Sequence, residues 1–301
     1  MEKEKSEMKV NIGTYSFGGI ASFLGLGPSL KEKFELAKSM GFSGIELLAG
    51  DLDNSTEDIL KWAEEAGVEI VSVHAMPSKE IIEKMAALHA KAVICAGTPF
   101  ATEEEAKETA AEFEEFARIA EPYGIKIGYH NHSWEFYMDN GKCLLEHFLD
   151  NAPHVYSQLD CGWAMNAGIY PPYFIRKYKD RIVAIHVKEN DKVHGPGSQP
   201  KGRDPQAGPR KSPFAGVKEK PLEERQKIYE DFLAHVGPVN PEIACQCPIG
   251  DEHSNLDWKE IKKALDEQSF EAFWVVEREY FYKDHDECLK EDCAWLMENI
   301  R

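Results

Sequence analysis

The stretch Lys126-Ile127-Gly128-Tyr129-His130-Asn131-His132 is a short β-favouring run that ends in imidazoles. Three later segments repeat the design. Residues 155–160 end Ser-Gln-Leu-Asp160, residues 182–187 carry Ala-Ile-His186-Val with Lys188 next, and residues 272–277 end Trp-Val-Val-Glu277. Four earlier runs, at 9–13, 44–48, 69–74 and 92–95, bring the predicted strands to eight. Helical patterns separate them at 29–40, 56–66, 79–89, 102–123, 141–150 and 171–178, and again at 256–267, with a last one at 284–300. Ser55-Thr56 before Glu57 and Asp58 is a helix start, and Gly41, Gly67 and Gly124 stand where helices stop. Strands alternating with helices argue for a parallel sheet. At this strand count the sheet is expected to close. The open, doubly wound alternative lacks a Gly-x-Gly-x-x-Gly after its first strand. The fold class expected is therefore α/β, a (β/α)8 TIM barrel in one catalytic domain, 9–301, after a charged tail, 1–8.

Composition narrows the partners. The chain has 301 residues, 43% of them hydrophobic, which is enough for a sizeable core. Its net charge of −18 repels phosphate backbones, so no nucleic-acid partner is expected. No apolar run approaches the ~18 residues of a membrane span. The start, Met-Glu-Lys-Glu-Lys-Ser-Glu, is no signal peptide. Seven cysteines in such a chain read as reduced thiols, and the protein as cytoplasmic. The pair Cys245-Gln-Cys247 lacks the spacer of zinc and redox motifs.

One segment breaks the rhythm. Residues 192–221 hold six prolines and five glycines, so they cannot be helix or strand throughout. They are also basic, with Lys192, Lys201, Arg203, Arg210, Lys211, Lys218 and Lys220 against Asp204 and Glu219. Lying after the seventh strand, where βα loops build active sites, this insertion reads either as a solubilising loop or as a lid. It also offers a surface for a partner subunit or a second copy of the chain.

Four strand ends carry metal-ligand residue types: His130, Asp160, His186 and Glu277. In a barrel these ends are neighbours on one rim. Buried carboxylates without a partner are costly, and a shared cation removes that cost for all of them. Two imidazoles and two carboxylates suit Mn2+, with Co2+, Zn2+ or Fe2+ as alternatives, better than Mg2+ or Ca2+. Earlier strands add Glu46, for a hydroxyl or an ion pair inside the barrel, and His74, for substrate or as an acid. Tyr15, Trp134 and Trp163 fall just beyond strand ends, where aromatic walls suit the apolar faces of sugar rings.

Taken in order, Gly-Phe-Ser-Gly-Ile-Glu46, Tyr-His130-Asn-His132-x-x-Glu135-Phe136, Leu-Asp160-x-x-Trp163, His186-Val-Lys188 and Val-Val-Glu277 resemble the sugar phosphate isomerase/epimerase family, the xylose-isomerase-like TIM barrels. The resemblance spans about 10–295 outside the insertion. It implies one divalent cation at the ends of strands five to eight, and a small sugar or polyol substrate. Glu135 joins the substrate-binding set through its motif. The family usually holds its metal as Glu, Asp, His and Glu. Asp160, His186 and Glu277 match, whereas His130 stands where ketose 3-epimerases carry Glu. A two-glutamate epimerisation is therefore not expected, and Glu277 is left as the carboxylate base.

The chemistry that the resemblance implies is removal of an α-proton beside a carbonyl to give a metal-stabilised enolate or enediolate. Lys188, His74 or His132 supplies the acid. Reprotonation makes an isomerase or epimerase of a sugar or keto-sugar. Loss of a β-substituent makes a lyase on a keto-polyol or 3-keto-glycoside, like inosose dehydratases or C-glycoside-cleaving barrels. An abasic-site nuclease on this barrel would need a basic groove, which the charge denies. A non-catalytic sugar binder would not explain so many converging ligand types.

Overall fold

A computed structural model of the chain describes residues 8–202, 216–236, 247–279 and 281–300. Eight parallel strands close into a barrel: β1 (Val10–Gly13), β2 (Gly44–Leu48), β3 (Glu69–His74), β4 (Ala92–Ala96), β5 (Lys126–His130), β6 (Tyr156–Asp160), β7 (Ile182–Val187) and β8 (Phe273–Val276). Each strand neighbours the next in sequence, and β1 closes on β8 with Val10 opposite Trp274 and Ile12 opposite Val276. The protein is a (β/α)8 TIM barrel.

The helices are α1 (Ile20–Phe23), α2 (Leu30–Met40), α3 (Thr56–Ala66), α4 (Lys79–Ala87), α5 (Glu103–Ala120), α6 (Leu144–Asn151), α7 (Cys161–Asn166), α8 (Pro171–Lys177), α9 (Leu222–Val236), α10 (Trp258–Asp266) and α11 (His285–Asn299). Local chemistry explains their starts. The Ser29 hydroxyl accepts from the Glu32 backbone while the Glu32 carboxylate accepts from the Ser29 backbone, a complete capping box. Ser55, Ser78 and Thr102 cap α3, α4 and α5 through the side-chain oxygen alone, each accepting from a backbone N–H three residues on. Gly41 and Gly67, at φ of +95° and +65°, end α2 and α3. The core lies between the strands and these helices, with Phe34, Phe113, Phe148 and Phe174 almost fully buried.

Two expectations need correction. Residues 141–150 are not helical from their start. Asn140 and Gly141 both take positive φ and form a tight hairpin turn that pairs Met138–Asp139 with Lys142–Cys143, so α6 begins only at Leu144. The helix expected over 102–123 ends at Ala120, and Pro122 sits in a following 3-10 turn. The sequence reading also missed α1, α7 and α9. Helix α9 hides from pattern reading because apolar side chains such as Leu222 and Leu233 stay exposed.

The tail 1–7, the middle of the insertion (203–215) and Cys245 lie outside the described residues. Cys95, Cys143, Cys161, Cys288 and Cys293 carry free thiols. No helix among the described residues is long and apolar enough to cross a membrane.

Candidate active site and metal centre

Inside the C-terminal end of the barrel, a polar cluster is organised by Glu46. This carboxylate is 2% exposed. Its Oε2 accepts from Ser72 Oγ at 2.6 Å and from Gln158 Nε2 at 2.7 Å. Its Oε1 lies 2.7 Å from His186 Nε2 and 3.2 Å from His74 Nε2. The Gln158 carbonyl oxygen in turn accepts from His74 Nε2 at 2.6 Å and His130 Nδ1 at 3.1 Å. Burial opposes ionisation of Glu46, but His74 and His186 outweigh it and lower its carboxyl to about 2.

These bonds decide which nitrogens are left over. An imidazole that gives its Nε2 proton to a carboxylate turns Nδ1 outward as the ligating atom, the usual second-shell arrangement at metal sites. His186 does this. Its Nδ1 faces Glu277 Oε2 at 3.3 Å and Asp160 Oδ2 at 3.8 Å. Burial pulls the His186 ring down, yet the charges of Glu277 and Glu46 raise it to about 9.

Asp160 is fully buried and splits its duties. Its Oδ1 accepts from the Trp163 backbone at 2.8 Å, capping α7, while Oδ2 has no hydrogen-bond partner. Burial pushes its carboxyl up. His186 Nδ1 is a second buried atom without a hydrogen-bond partner. Ligand atoms of Asp160, His186 and Glu277 all lie within 4.8 Å of one another. Two buried atoms without a hydrogen-bond partner, one oxygen and one nitrogen, beside a second carboxylate are what a divalent cation of mixed nitrogen and oxygen preference would take. These three residues fit such an ion.

His130 stands differently. Its ring lies 4.6 Å from that of His186 and 4.9 Å from that of His74, and these three imidazoles form a second group of potential ligands. The structure thus joins His130 to His186 but does not gather it with Asp160 and Glu277 into one donor group. Burial holds His130 well below the usual histidine range, so it stays neutral.

Lys188 follows β7 and is 2% exposed. Its Nζ donates to Glu277 Oε1 at 2.9 Å and lies 3.6 Å from Asp160 Oδ2 and 3.3 Å from Glu279 Oε2. The ammonium also sits 5.0 Å from the centre of the Trp163 ring. Burial disfavours its charge, but Glu277, Glu279 and Asp160 hold it firmly protonated. The close passage of the chain just after β7 past the start of α7 needs Gly162, where a Cβ would meet the Lys188 carbonyl oxygen at 2.5 Å.

The remaining candidates divide. Trp163 is half-buried beside His132, 6.0 Å between rings, and its indole Nε1 has no hydrogen-bond partner. The Tyr15 phenol is pushed up by burial and then by the charges of Glu279 and Glu277. Trp134 packs edge-on against Phe100, within the wall. Glu135 is 0% exposed and sits beneath its loop. It accepts from the His132 backbone at 2.7 Å and from Tyr129 Oη at 3.1 Å, so it braces His132 instead of facing a substrate.

Sequence reasoning missed Ser72, Gln158, Glu189 and Glu279. Ser72 and Gln158 lie two positions before His74 and Asp160, and the period of two along a strand was the available signal. Glu189 is a loop anchor, accepting from Gly250 N at 2.9 Å and Trp258 Nε1 at 2.8 Å. The described flanks of the insertion also reach the rim. Gln199 Nε2 donates to Ala101 O after β4, Lys218 Nζ to Gly50 O after β2, and beyond it Arg225 Nη1 to Leu24 O after β1.

Comparison with known proteins agrees with this fold. A sugar phosphate isomerase/epimerase from Parabacteroides distasonis superposes with a TM-score of 0.70 at 18% identity, covering 99% of this chain and 96% of its own. The probable 3-DHS dehydratase AsbF from Bacillus anthracis gives 0.64 at 12%, covering 98% and 100%. The IOLI protein with a bound zinc atom gives 0.59 at 16%, covering 96% and 98%. A search of curated proteins finds no match. The family model described as xylose isomerase-like TIM barrel matches residues 34–299. With eight strands closing the barrel and the polar cluster at its C-terminal end, that match means the chain belongs to the xylose isomerase-like TIM barrel family.

Proposed function

We propose that this chain is a divalent-metal-dependent isomerase or epimerase acting on a sugar or keto-sugar by α-proton abstraction. The observation that carries the reading is the pair of orphaned atoms, Asp160 Oδ2 and His186 Nδ1, facing Glu277 Oε2 in a buried site. A divalent cation held by Asp160, His186 and Glu277 would polarise a carbonyl oxygen and acidify the adjacent C–H. Glu277 takes the α-proton. Burial raises its carboxyl, but Lys188 and His186 outweigh burial and hold it well below the usual range, so it stands ionised. Lys188, or His132 at the rim, returns a proton to the neighbouring carbon or oxygen. Trp163 offers its face to the apolar side of the sugar. The 192–221 segment, whose described flanks reach the loops after β2 and β4, would act as a lid that excludes water.

One observation favours a second reading, a lyase on a keto-polyol or 3-keto-glycoside. Both oxygens of Glu46 are committed to Ser72, Gln158, His74 and His186. Glu46 is then not free to serve as a second base beside Glu277, and a two-base epimerisation lacks that partner. In the lyase course Glu277 takes the α-proton and the C–H electrons form the new C=C bond. The β-substituent departs with its bonding pair and collects a proton from Lys188. Incubating Mn2+-loaded protein in D2O with ketoses, keto-inositols and 3-keto-glycosides separates the two courses by NMR. Label beside the carbonyl without loss of a fragment supports the isomerase. An unsaturated ketone or a released leaving group supports the lyase. No turnover and no exchange across the panel refutes both.

A further inference from the structure

The Lys188 ammonium lies among the same oxygens that an incoming metal ion would use. It donates to Glu277 Oε1 at 2.9 Å and stands 3.6 Å from Asp160 Oδ2. A third carboxylate, Glu279, stands 3.3 Å from it. Lys188 is buried, so its charge has to be balanced by protein groups and not by water. A divalent ion taking Asp160, His186 and Glu277 would lie close to this ammonium, and like charges at such range repel strongly in a poorly solvated site. Glu277 and Asp160 would then have less negative charge to share with Lys188. Of the three carboxylates around the ammonium, Glu279 alone is outside the donor group.

We infer that Glu279 is a positioning residue that holds the Lys188 ammonium while a cation occupies the site, and so sets how tightly the metal binds. The inference rests on the metal reading above. Glu279 also adds a negative charge near the ion, which would favour metal whether or not Lys188 is present. A double-mutant cycle separates the two contributions.

The test titrates Mn2+ into chelator-stripped wild type, Glu279→Gln, Lys188→Met and the double variant, with affinity read by calorimetry and free Mn2+ by electron paramagnetic resonance. Lys188→Met should tighten binding by about tenfold or more, because it removes a competing cation. Glu279→Gln should weaken it by about fivefold in the wild-type background and by less than about twofold in the Lys188→Met background. Metal-free melting of Glu279→Gln should match wild type, which a merely structural role would not allow. Lys188→Gln repeats the cycle if the Met variant does not fold. Equal loss in both backgrounds, or no loss in either, overturns the role of Glu279 while leaving the metal site standing. A wild-type protein that binds no divalent ion overturns the metal reading and this inference together.

Discussion

Replacing Asp160 by Asn separates two duties carried by one side chain. The Oδ1 atom caps α7 through the Trp163 backbone at 2.8 Å, and Asn caps as well as Asp does. The Oδ2 atom, orphaned and facing His186 Nδ1, becomes an amide nitrogen with no lone pair for a metal. In the metal-free protein the change should be nearly neutral. It removes a buried charge that burial opposes, and Lys188 keeps Glu277 and Glu279 as partners. Asp160→Ala loses the cap as well, about 1 kcal/mol. For a chain of 301 residues that is roughly 1.5 °C in Tm, taking an unfolding entropy of ~2 cal/mol/K per residue. Metal affinity should fall at least ~100-fold, beyond what losing a second-shell contact costs. At a metal concentration of ~100 Kd the wild type gains about 2.7 kcal/mol, roughly 4 °C. Scanning calorimetry with and without Mn2+ should therefore show a shift of about 4 °C for wild type and essentially none for Asp160→Asn. An Asn variant that keeps the full metal-induced shift would refute the assignment of Oδ2 as a ligand.

Four further outcomes follow from the same geometry. Glu277→Gln should lower turnover at least ~10²-fold, the lower end for a general base, and near-normal turnover measured by NMR would move the base to His132 or His74. Elemental analysis of protein purified without chelator should find about one divalent transition ion per chain, and EDTA should abolish activity; full activity in a metal-free preparation would contradict this. Replacing 195–220 with a short Gly/Ser linker should raise KM or lower kcat by about tenfold or more, while unchanged kinetics would make the segment a passive insertion. Glu189→Ala strips Trp258 Nε1 and the Gly250 amide of their acceptor and should destabilise the fold by about 1–3 kcal/mol in urea unfolding, whereas wild-type stability would show that other groups or water satisfy them.

The barrel was legible because its strands are short apolar runs with polar ends, and such runs are bounded by capping signals that owe nothing to tertiary context. Ser29 with Glu32 and Ser55 with Asp58 do locally what their spacing suggests. The hairpin at Met138–Cys143 was lost because one Asn-Gly pair outweighs a helical pattern that follows it. Helix α9 was lost because its apolar residues do not form a buried stripe. At the site, Asp160, His186 and Glu277 could be read as strand-end residues, and they come together. The orientation of His130 toward Gln158 could not, since it depends on a glutamine from the adjacent strand. Glu135 reads as a rim residue from its motif, but whether its carboxylate faces solvent or its own loop is decided by the Tyr129 hydroxyl beneath it.

The tethering of Glu46 has a consequence for how far this barrel can be stabilised. A (β/α)8 interior is ordinarily filled by layers of aliphatic side chains. Here part of that interior is given over to Glu46, Ser72, His74, Gln158 and His186, joined across β2, β3, β6 and β7. Ion pairs and polar networks of this kind often contribute less than well-packed hydrocarbon of the same volume. A redesign that replaces these five side chains with Leu, Val and Ile should therefore melt at a higher temperature and be inert. Enzymatic use of the barrel mouth and maximal thermal resistance are opposed in this molecule, and the opposition is concentrated in five side chains.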